Sequence, residues 1–226
     1  MDVNDYYDKN THTLNLPNCW NSPLINLPSG IKTLITGNKF NHPIDDNLPD
    51  NITSITFGIC FNHPVDNLPT NLISLSFDST GAFNQPIGQG TLPNTLMYLY
   101  LSHEFNQPIS QGTLPKSLTT IKFGHYFNKP IDNLPENLTH LELGYNFNQP
   151  ISQGTLPKKL SYLAFGQKFN QSIDDLPNEL VELRLGYMFN QPINNLPFSL
   201  QCLSLCKKVN IKEIKIPFGC VVNYLT

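Results

Sequence analysis

Histidine pairs are the most evident candidates for chemistry in this sequence. His42 and His63 each follow a Phe-Asn pair directly, and His103 and His125 each stand shortly before one. If successive Phe-Asn pairs mark successive structural repeats, the members of each histidine pair occupy the same position in neighbouring repeats, about 5 Å apart. Paired imidazoles suit a transition metal. Neither pair has an evident third ligand. We therefore expect no metal site and no cofactor.

The cysteines and carboxylates form no recognisable catalytic pattern. Cys202 and Cys206 have no second pair to complete a zinc site. The five cysteines are odd in number and do not recur from repeat to repeat, which is typical of reduced thiols rather than of a disulfide framework. The motifs of esterases, metalloproteases and phosphate-binding loops are missing from the sequence. Aspartates such as Asp66 and Asp132 recur at one position before Leu-Pro, as turn residues do. We expect no enzymatic activity.

Composition argues for a fold without long helices. The 226 residues include 28 asparagines and 19 prolines but only two alanines. Proline costs about 3 kcal/mol inside a helix, and asparagine prefers turns. Because 39% of the residues are apolar, the chain has enough apolar side chains for a core. These proportions predict an all-β backbone.

Charge and hydropathy exclude several kinds of partner. The net charge is −3 and no run of Lys and Arg exceeds two residues, so we expect no binding to nucleic acid. No stretch approaches the ~20 apolar residues of a membrane span. The N-terminal residues lack the apolar block of a signal peptide. We expect a cytoplasmic protein that does not bind membranes.

An internal repeat of about 20 to 22 residues dominates the sequence. Each unit opens with Leu-Pro, continues with an L-x-x-L-x-L run and closes with a segment such as Phe147-Asn-Gln-Pro-Ile. The spacing from the leucine of Leu-Pro to the Phe is constant except between Leu68 and Phe83, where residues 78–82 carry an insertion. The Phe-Asn pairs begin at residues 40, 61, 83, 105, 127, 147, 169 and 189.

Alternating apolar and polar residues at the end of each L-x-x-L-x-L run predict one short strand per repeat. In-register strands stack in parallel about 4.8 Å apart, so each repeat buries its apolar side chains against its neighbours. We expect six inward side chains per repeat: the Leu of Leu-Pro, three in the strand, the Phe and the Ile. The asparagine after each Phe is expected to satisfy backbone groups. The glycine after most strands suggests positive φ or close packing.

These segments resemble the FNIP repeat family, a branch of the leucine-rich repeats seen in amoebae and in giant viruses of protists. The resemblance covers about residues 14–210. Together with the missing helices it implies an all-β solenoid, a right-handed coil with a parallel sheet on its concave face, little or no helix and low curvature. Family members often carry an F-box that recruits targets to a ubiquitin ligase. Residues 1–30 contain no such pattern, so that role is not carried over.

We expect residues 1–226 to form a single solenoid. Residues 1–26 would supply a partial first repeat and a cap, residues 27–210 the repeats, and residues 211–226 a truncated closing repeat with its cap.

The closing strand is predicted from Ile211, Ile214 and Ile216, which repeat the apolar strand pattern. Lys212 and Lys215 would protect its open edge from pairing. If that edge is nevertheless paired, the partner would be a second copy in a homodimer with twofold symmetry.

Binding is expected on strand residues that point away from the core and form columns on the concave face. The first rows are bland, but from Tyr98 to Arg184 the columns become aromatic and charged, as protein contacts are. We expect a non-enzymatic module for an unknown protein partner. The alternatives are tyrosines retained only as strand formers, sugar binding, and self-assembly through a terminal strand. The candidate binding residues are Tyr98, Tyr100, Lys122, His140, Glu142, Tyr162, Glu182 and Arg184.

Overall fold

A single sheet runs the length of the chain in the computed structural model, which describes residues 2–44, 48–207 and 214–225. Within these ranges, twelve strands lie side by side in sequence order. β1 pairs antiparallel with β2, and all later neighbours are parallel. The strands are β1 Tyr7–Asp8, β2 Thr13–Asn15, β3 Thr33–Ile35, β4 Ser54–Phe57, β5 Ser74–Phe77, β6 Tyr98–Tyr100, β7 Thr120–Lys122, β8 His140–Glu142, β9 Tyr162–Ala164, β10 Glu182–Arg184, β11 Cys202–Cys206 and β12 Val221–Leu225.

This arrangement confirms the expected all-β solenoid. The single helical element in the described residues is a 3-10 turn, Val3–Tyr6. From β3 to β10, each strand lies where the L-x-x-L-x-L run predicts it, because the period-two alternation buries the middle residue of every strand. None of the described helices is long and apolar enough to cross a membrane.

A ladder of phenylalanine rings fills the core behind the sheet. Phe127 is fully buried, and its ring centroid lies 6.2 Å from those of Phe105 and Phe147 in the adjacent repeats. Parallel strands are only about 4.8 Å apart. Since repeats are spaced more widely at the ring ladder than at the sheet, the sheet forms the concave side.

The inward positions are those predicted, with one correction at the leucine of Leu-Pro. The strand residues, the Phe and the Ile are buried in each repeat. The leucine is buried in the repeats that carry Gly-Thr-Leu-Pro, such as Leu114 and Leu156, but only half-buried in others, such as Leu134 and Leu176. Its contribution to the core therefore varies with the loop that precedes it.

The asparagine after each Phe forms a hydrogen-bonded ladder, as predicted from the need to satisfy turn backbone. The backbone N–H of Asn148 donates to Oδ1 of Asn128 at 2.9 Å, and the N–H of Asn128 donates to Oδ1 of Asn106 at 3.0 Å. The glutamine that follows the asparagine adds a second bond, since Nε2 of Gln149 donates to the carbonyl oxygen of Asn128 at 3.2 Å. These side chains are half-exposed at the edge of the coil rather than turned inward.

The first strands are covered by the N-terminal segment. Tyr6 packs edge-on against Trp20, with ring centroids 5.9 Å apart, and Val3 is buried. β1 then pairs with the outer edge of β2. This segment covers the outer side of β2, and Leu14 of β2 is fully buried.

The last strand is not where the isoleucine pattern placed it. Ile211 and Lys212 lie outside the described residues, and Ile214 to Ile216 form no strand. β12 lies instead at Val221–Leu225, where Val221 pairs in register with Cys202. The reason is chain length: a full coil needs about 20 residues, and residues 211–216 follow β11 too closely to complete one.

Candidate functional site

The eight candidate residues fall into two parallel columns on the concave sheet. Register places Tyr98, Thr120, His140, Tyr162 and Glu182 in one column. The second column holds Tyr100, Lys122, Glu142, Ala164 and Arg184. Because every strand places its middle residue in the core, these flanking side chains all face the same way.

A shallow depression of about 580 Å³ opens between these columns. It is lined by six of the eight candidates, while Tyr98 and Glu182 lie outside it. The six are Tyr100, Lys122, His140, Glu142, Tyr162 and Arg184.

Two ion pairs organise the charged side chains around the depression. Lys122 Nζ lies 2.8 Å from Glu142 Oε2 across β7 and β8, with both side chains about half exposed. Arg184 Nε donates to Glu182 Oε1 at 2.8 Å along β10. Exposed pairs of this kind contribute little to stability, typically about 0 to 1 kcal/mol. Their charged groups can therefore exchange partners when a ligand binds.

Tyr162 is the centre of the aromatic contacts in the depression. Its ring stacks with His140 at a centroid distance of 5.7 Å, and the guanidinium carbon of Arg184 lies 5.5 Å from its centroid. Partial burial, followed by the charge of Glu142, raises the pKa of the Tyr162 hydroxyl. The hydrogen bond that Arg184 donates to Glu182 raises the pKa of the guanidinium. Around neutral pH the depression thus offers a neutral phenol beside a fixed positive charge.

A second group of aromatic rings lies on the turns that follow the strands, and of this group the sequence predicted only the His103–His125 pair. His103 and His125 stack at 4.5 Å, and His125 stacks on Tyr145 at 4.5 Å with nearly parallel planes. Tyr126 packs edge-on against both histidines at 5.0 Å, and Lys168 lies 5.7 Å from the Tyr145 ring centre. Comparing the two residues that follow the glycine at the end of each strand, or Ser102 at the equivalent position, would have revealed this stack.

The other histidine pair takes part in the asparagine ladder. Nε2 of His42 lies 3.1 Å from the carbonyl oxygen of Asn21, and Nε2 of His63 lies 3.1 Å from that of Asn41. The glutamines of other repeats make the same contact. Across the part of the chain that the structure describes, no three His, Cys, Asp or Glu residues come together as metal ligands would.

Lowering the pH is expected to weaken the fold through His125. Desolvation in the ring stack, followed by the positive charges of His103 and Lys168, lowers its pKa below the ordinary value of 6.5. As pH falls through 6.5, the unfolded chain takes up this proton first, so stability is lost between the ordinary pKa and the lowered one.

His125→Gln should therefore reduce the loss of melting temperature between about pH 8 and pH 5, measured by circular dichroism. His63→Gln is the control, because glutamine makes the same backbone contact at that column. Equal pH dependence in the parent chain and in His125→Gln would contradict the prediction.

The fold and the candidate site define a leucine-rich-repeat-like solenoid with a parallel sheet on its concave face. The chain belongs to the FNIP Repeat family, which it matches over residues 20–60, 83–126, 127–168 and 169–208, well over half of its length. This confirms the family resemblance drawn from the Phe-Asn-x-Pro-Ile segments. The unmatched stretch between residues 60 and 83 contains the insertion at 78–82.

Solved structures that are similar to this chain include the following two. The crystal structure of CroV588, described as a novel circular LRR protein structure, shares 37% sequence identity with a TM-score of 0.78, covering 92% of this chain and 36% of that one. YopM from Yersinia enterocolitica WA-314 shares 24% identity with a TM-score of 0.57, covering 88% of this chain and 42% of YopM, and supports the fold alone. The chain thus spans less than half of either protein. No curated protein sequence matches it.

Proposed function

We propose that this chain is a non-enzymatic module that binds a protein partner on its concave face between β6 and β10. The observation that carries the proposal is the depression around Tyr162, where tyrosine, histidine, lysine and arginine side chains converge on one open sheet. Solenoids of this kind commonly bind proteins on their concave sheet. We propose that the chain acts in the cytoplasm.

The chemistry of the depression fits a protein surface. Tyrosine and arginine are the residues that most often dominate protein interfaces, because they bury large areas and keep a polar tip. Lys122 and Glu142 carry opposite charges 2.8 Å apart. A partner that presents both an acidic and a basic group can pair with each of them, whereas a uniformly charged ligand would meet one repulsive contact.

Replacing Tyr98, Tyr100 and Tyr162 together with alanine is expected to weaken partner binding by about tenfold or more. A tenfold loss of affinity corresponds to about 1.4 kcal/mol of binding free energy. The partner is identified by cross-linking and mass spectrometry in the native cell, and its affinity is then measured with purified components. The matched control is the triple alanine variant of Ser54, Thr56 and Ser74. These residues lie in the same two columns in the bland rows.

Two outcomes would count against the concave-face assignment. One is unchanged affinity in the tyrosine variant. The other is equal labelling of the partner by a photo-reactive amino acid placed at position 56 or at position 100. These two positions lie in the same column but in different rows, so binding at the candidate site should label the partner from position 100 alone. Binding to a glycan array that depends on the same tyrosines would instead favour the sugar-binding alternative.

A further inference from the structure

The two ends of the solenoid differ in how they are closed. At the N-terminal end, β1 pairs with β2 and the 3-10 turn packs over the first repeat, leaving Leu14 fully buried. At the C-terminal end, no described strand pairs with the outer edge of β12. Val222 and Tyr224 continue the core columns of Leu203 and Leu205. Val222 is nevertheless only half-buried, and Tyr224 is 41% exposed.

β12 also lacks the features that protect an edge strand. Its five residues, Val221–Leu225, contain no charged residue and no proline. Natural edge strands are usually short, charged or interrupted, because an open row of backbone N–H and C=O groups invites pairing. Lys215, which the sequence analysis placed on the edge, lies outside β12.

The backbone of β12 presents a defined set of unpaired groups. The N–H of Val221 donates to the carbonyl oxygen of Gln201, on the side of β11. Because backbone groups alternate sides along a strand, those of Asn223 and Leu225 also face β11. The N–H and C=O groups of Val222 and Tyr224 therefore point outward.

We propose that β12 pairs antiparallel with β12 of a second copy of this chain, with Asn223 on the twofold axis. In this register Val222 of each copy lies opposite Tyr224 of the other, and the outward N–H and C=O groups of both residues satisfy each other in two reciprocal pairs. Aromatic and β-branched residues are favourable cross-strand partners. The proposal does not depend on the concave-face function.

The side chains of β12 are complementary to themselves only in this register. Asn223 meets Asn223, and Val221 meets Leu225 on the concave side, so each apolar residue faces an apolar one. A shift by one residue would place Asn223 opposite an apolar side chain. The pairing extends one continuous sheet through both copies and places their two candidate binding surfaces on the same concave face.

Light scattering of the 226-residue chain over a range of concentrations tests the pairing. We expect a mass that rises towards twice 25.5 kDa. Val222→Pro removes an outward N–H without removing a bond to β11, as proline is tolerated where a strand faces solvent, and should return the mass to 25.5 kDa. The control is Phe198→Ser, which removes a side chain that is 99% exposed and lies outside β12.

The outcomes separate strand pairing from other association. A native chain that stays monomeric at every concentration, or a Val222→Pro variant that still dimerises, overturns the proposal. A Phe198→Ser variant that becomes monomeric does so as well, because the contact would then be made by exposed phenylalanines. Circular dichroism of each variant checks that the solenoid remains folded.

A cysteine at the axis tests the register independently of affinity. Asn223→Cys should form a disulfide between copies under mild oxidation, because directly opposed residues bring their Cα atoms as close as a disulfide requires. Cys202 is replaced with serine in this variant, since its sulfur accepts from Nδ2 of Asn223 at 3.2 Å and would compete. Val222→Cys, whose copies would be too far apart, should not cross-link. Equal cross-linking of both variants would refute the register.

Discussion

Replacing Phe127 with alanine is expected to lower the free energy of unfolding by about 3 to 5 kcal/mol. Phe127 is fully buried at the centre of the ring ladder, where its centroid lies 3.9 Å from that of Phe123 in its own repeat and 6.2 Å from the rings on either side. Alanine would leave a cavity between two repeats. Each repeat contacts only its neighbours, so no distant element can fill that cavity.

Chemical denaturation of the parent and variant chains measures this loss. Phe198→Ala is the matched control, because the same substitution at a side chain that is 99% exposed should change stability by less than about 0.5 kcal/mol. Hydrogen exchange should show faster exchange in the repeats next to Phe127 than in the distant ones. Comparable losses of stability in the two alanine variants would contradict the role assigned to the ring ladder.

The repeats could be predicted from the sequence because the forces that form them are local. Alternation of apolar and polar residues positions each strand, as in Tyr98–Tyr100 and Glu182–Arg184. A nearly constant repeat length then brings equivalent residues into register. The concave columns follow directly, and every candidate residue lies in one of the two outward columns.

The closing strand could not be predicted from the same local pattern. Ile214 and Ile216 alternate as a strand would, but the strand that closes the sheet must lie one full coil beyond β11. The relevant signal was Ile216-Pro217, which follows Leu196-Pro197 by one repeat length and takes the place of Leu-Pro. In both segments the carbonyl oxygen of the proline accepts a hydrogen bond from a backbone N–H a few residues further along the same segment. The donor is Leu200 for Pro197 and Cys220 for Pro217. A rule that required leucine at this position missed the last repeat.

Contacts between side chains were only partly accessible from the sequence. The pairing of Lys122 with Glu142 follows from equal positions in successive repeats. The contact of Arg184 with the Tyr162 ring also depends on side-chain torsions that the repeat does not set. The glycines presented a different ambiguity, between positive φ and close packing. The structure shows close packing after the strands, and positive φ instead in the loops at Gly90 and Gly154.

Replacing Gly144 with alanine is expected to lower the free energy of unfolding by about 3 kcal/mol. A Cβ atom at this position would overlap the carbonyl oxygen of Gly124 in the preceding repeat and lie 3.1 Å from the backbone nitrogen of His125. Both obstacles are backbone atoms, so relief requires the two repeats to move apart. That movement would stretch the hydrogen bonds between β7 and β8 and separate the rings of Phe127 and Phe147.

Gly88→Ala distinguishes this steric effect from the general loss of a glycine. Its Cβ would meet only the flexible side chain of Thr91, whose Oγ1 lies 3.3 Å away, so we expect a change below about 0.5 kcal/mol. Denaturant unfolding of both variants provides the comparison. If Gly144→Ala proves as stable as Gly88→Ala, the distance between repeats is not fixed at the glycine column, and the asparagine and phenylalanine ladders must set it alone. A large loss confined to Gly144→Ala would mean that the concave sheet keeps its spacing because backbone contacts backbone at each glycine.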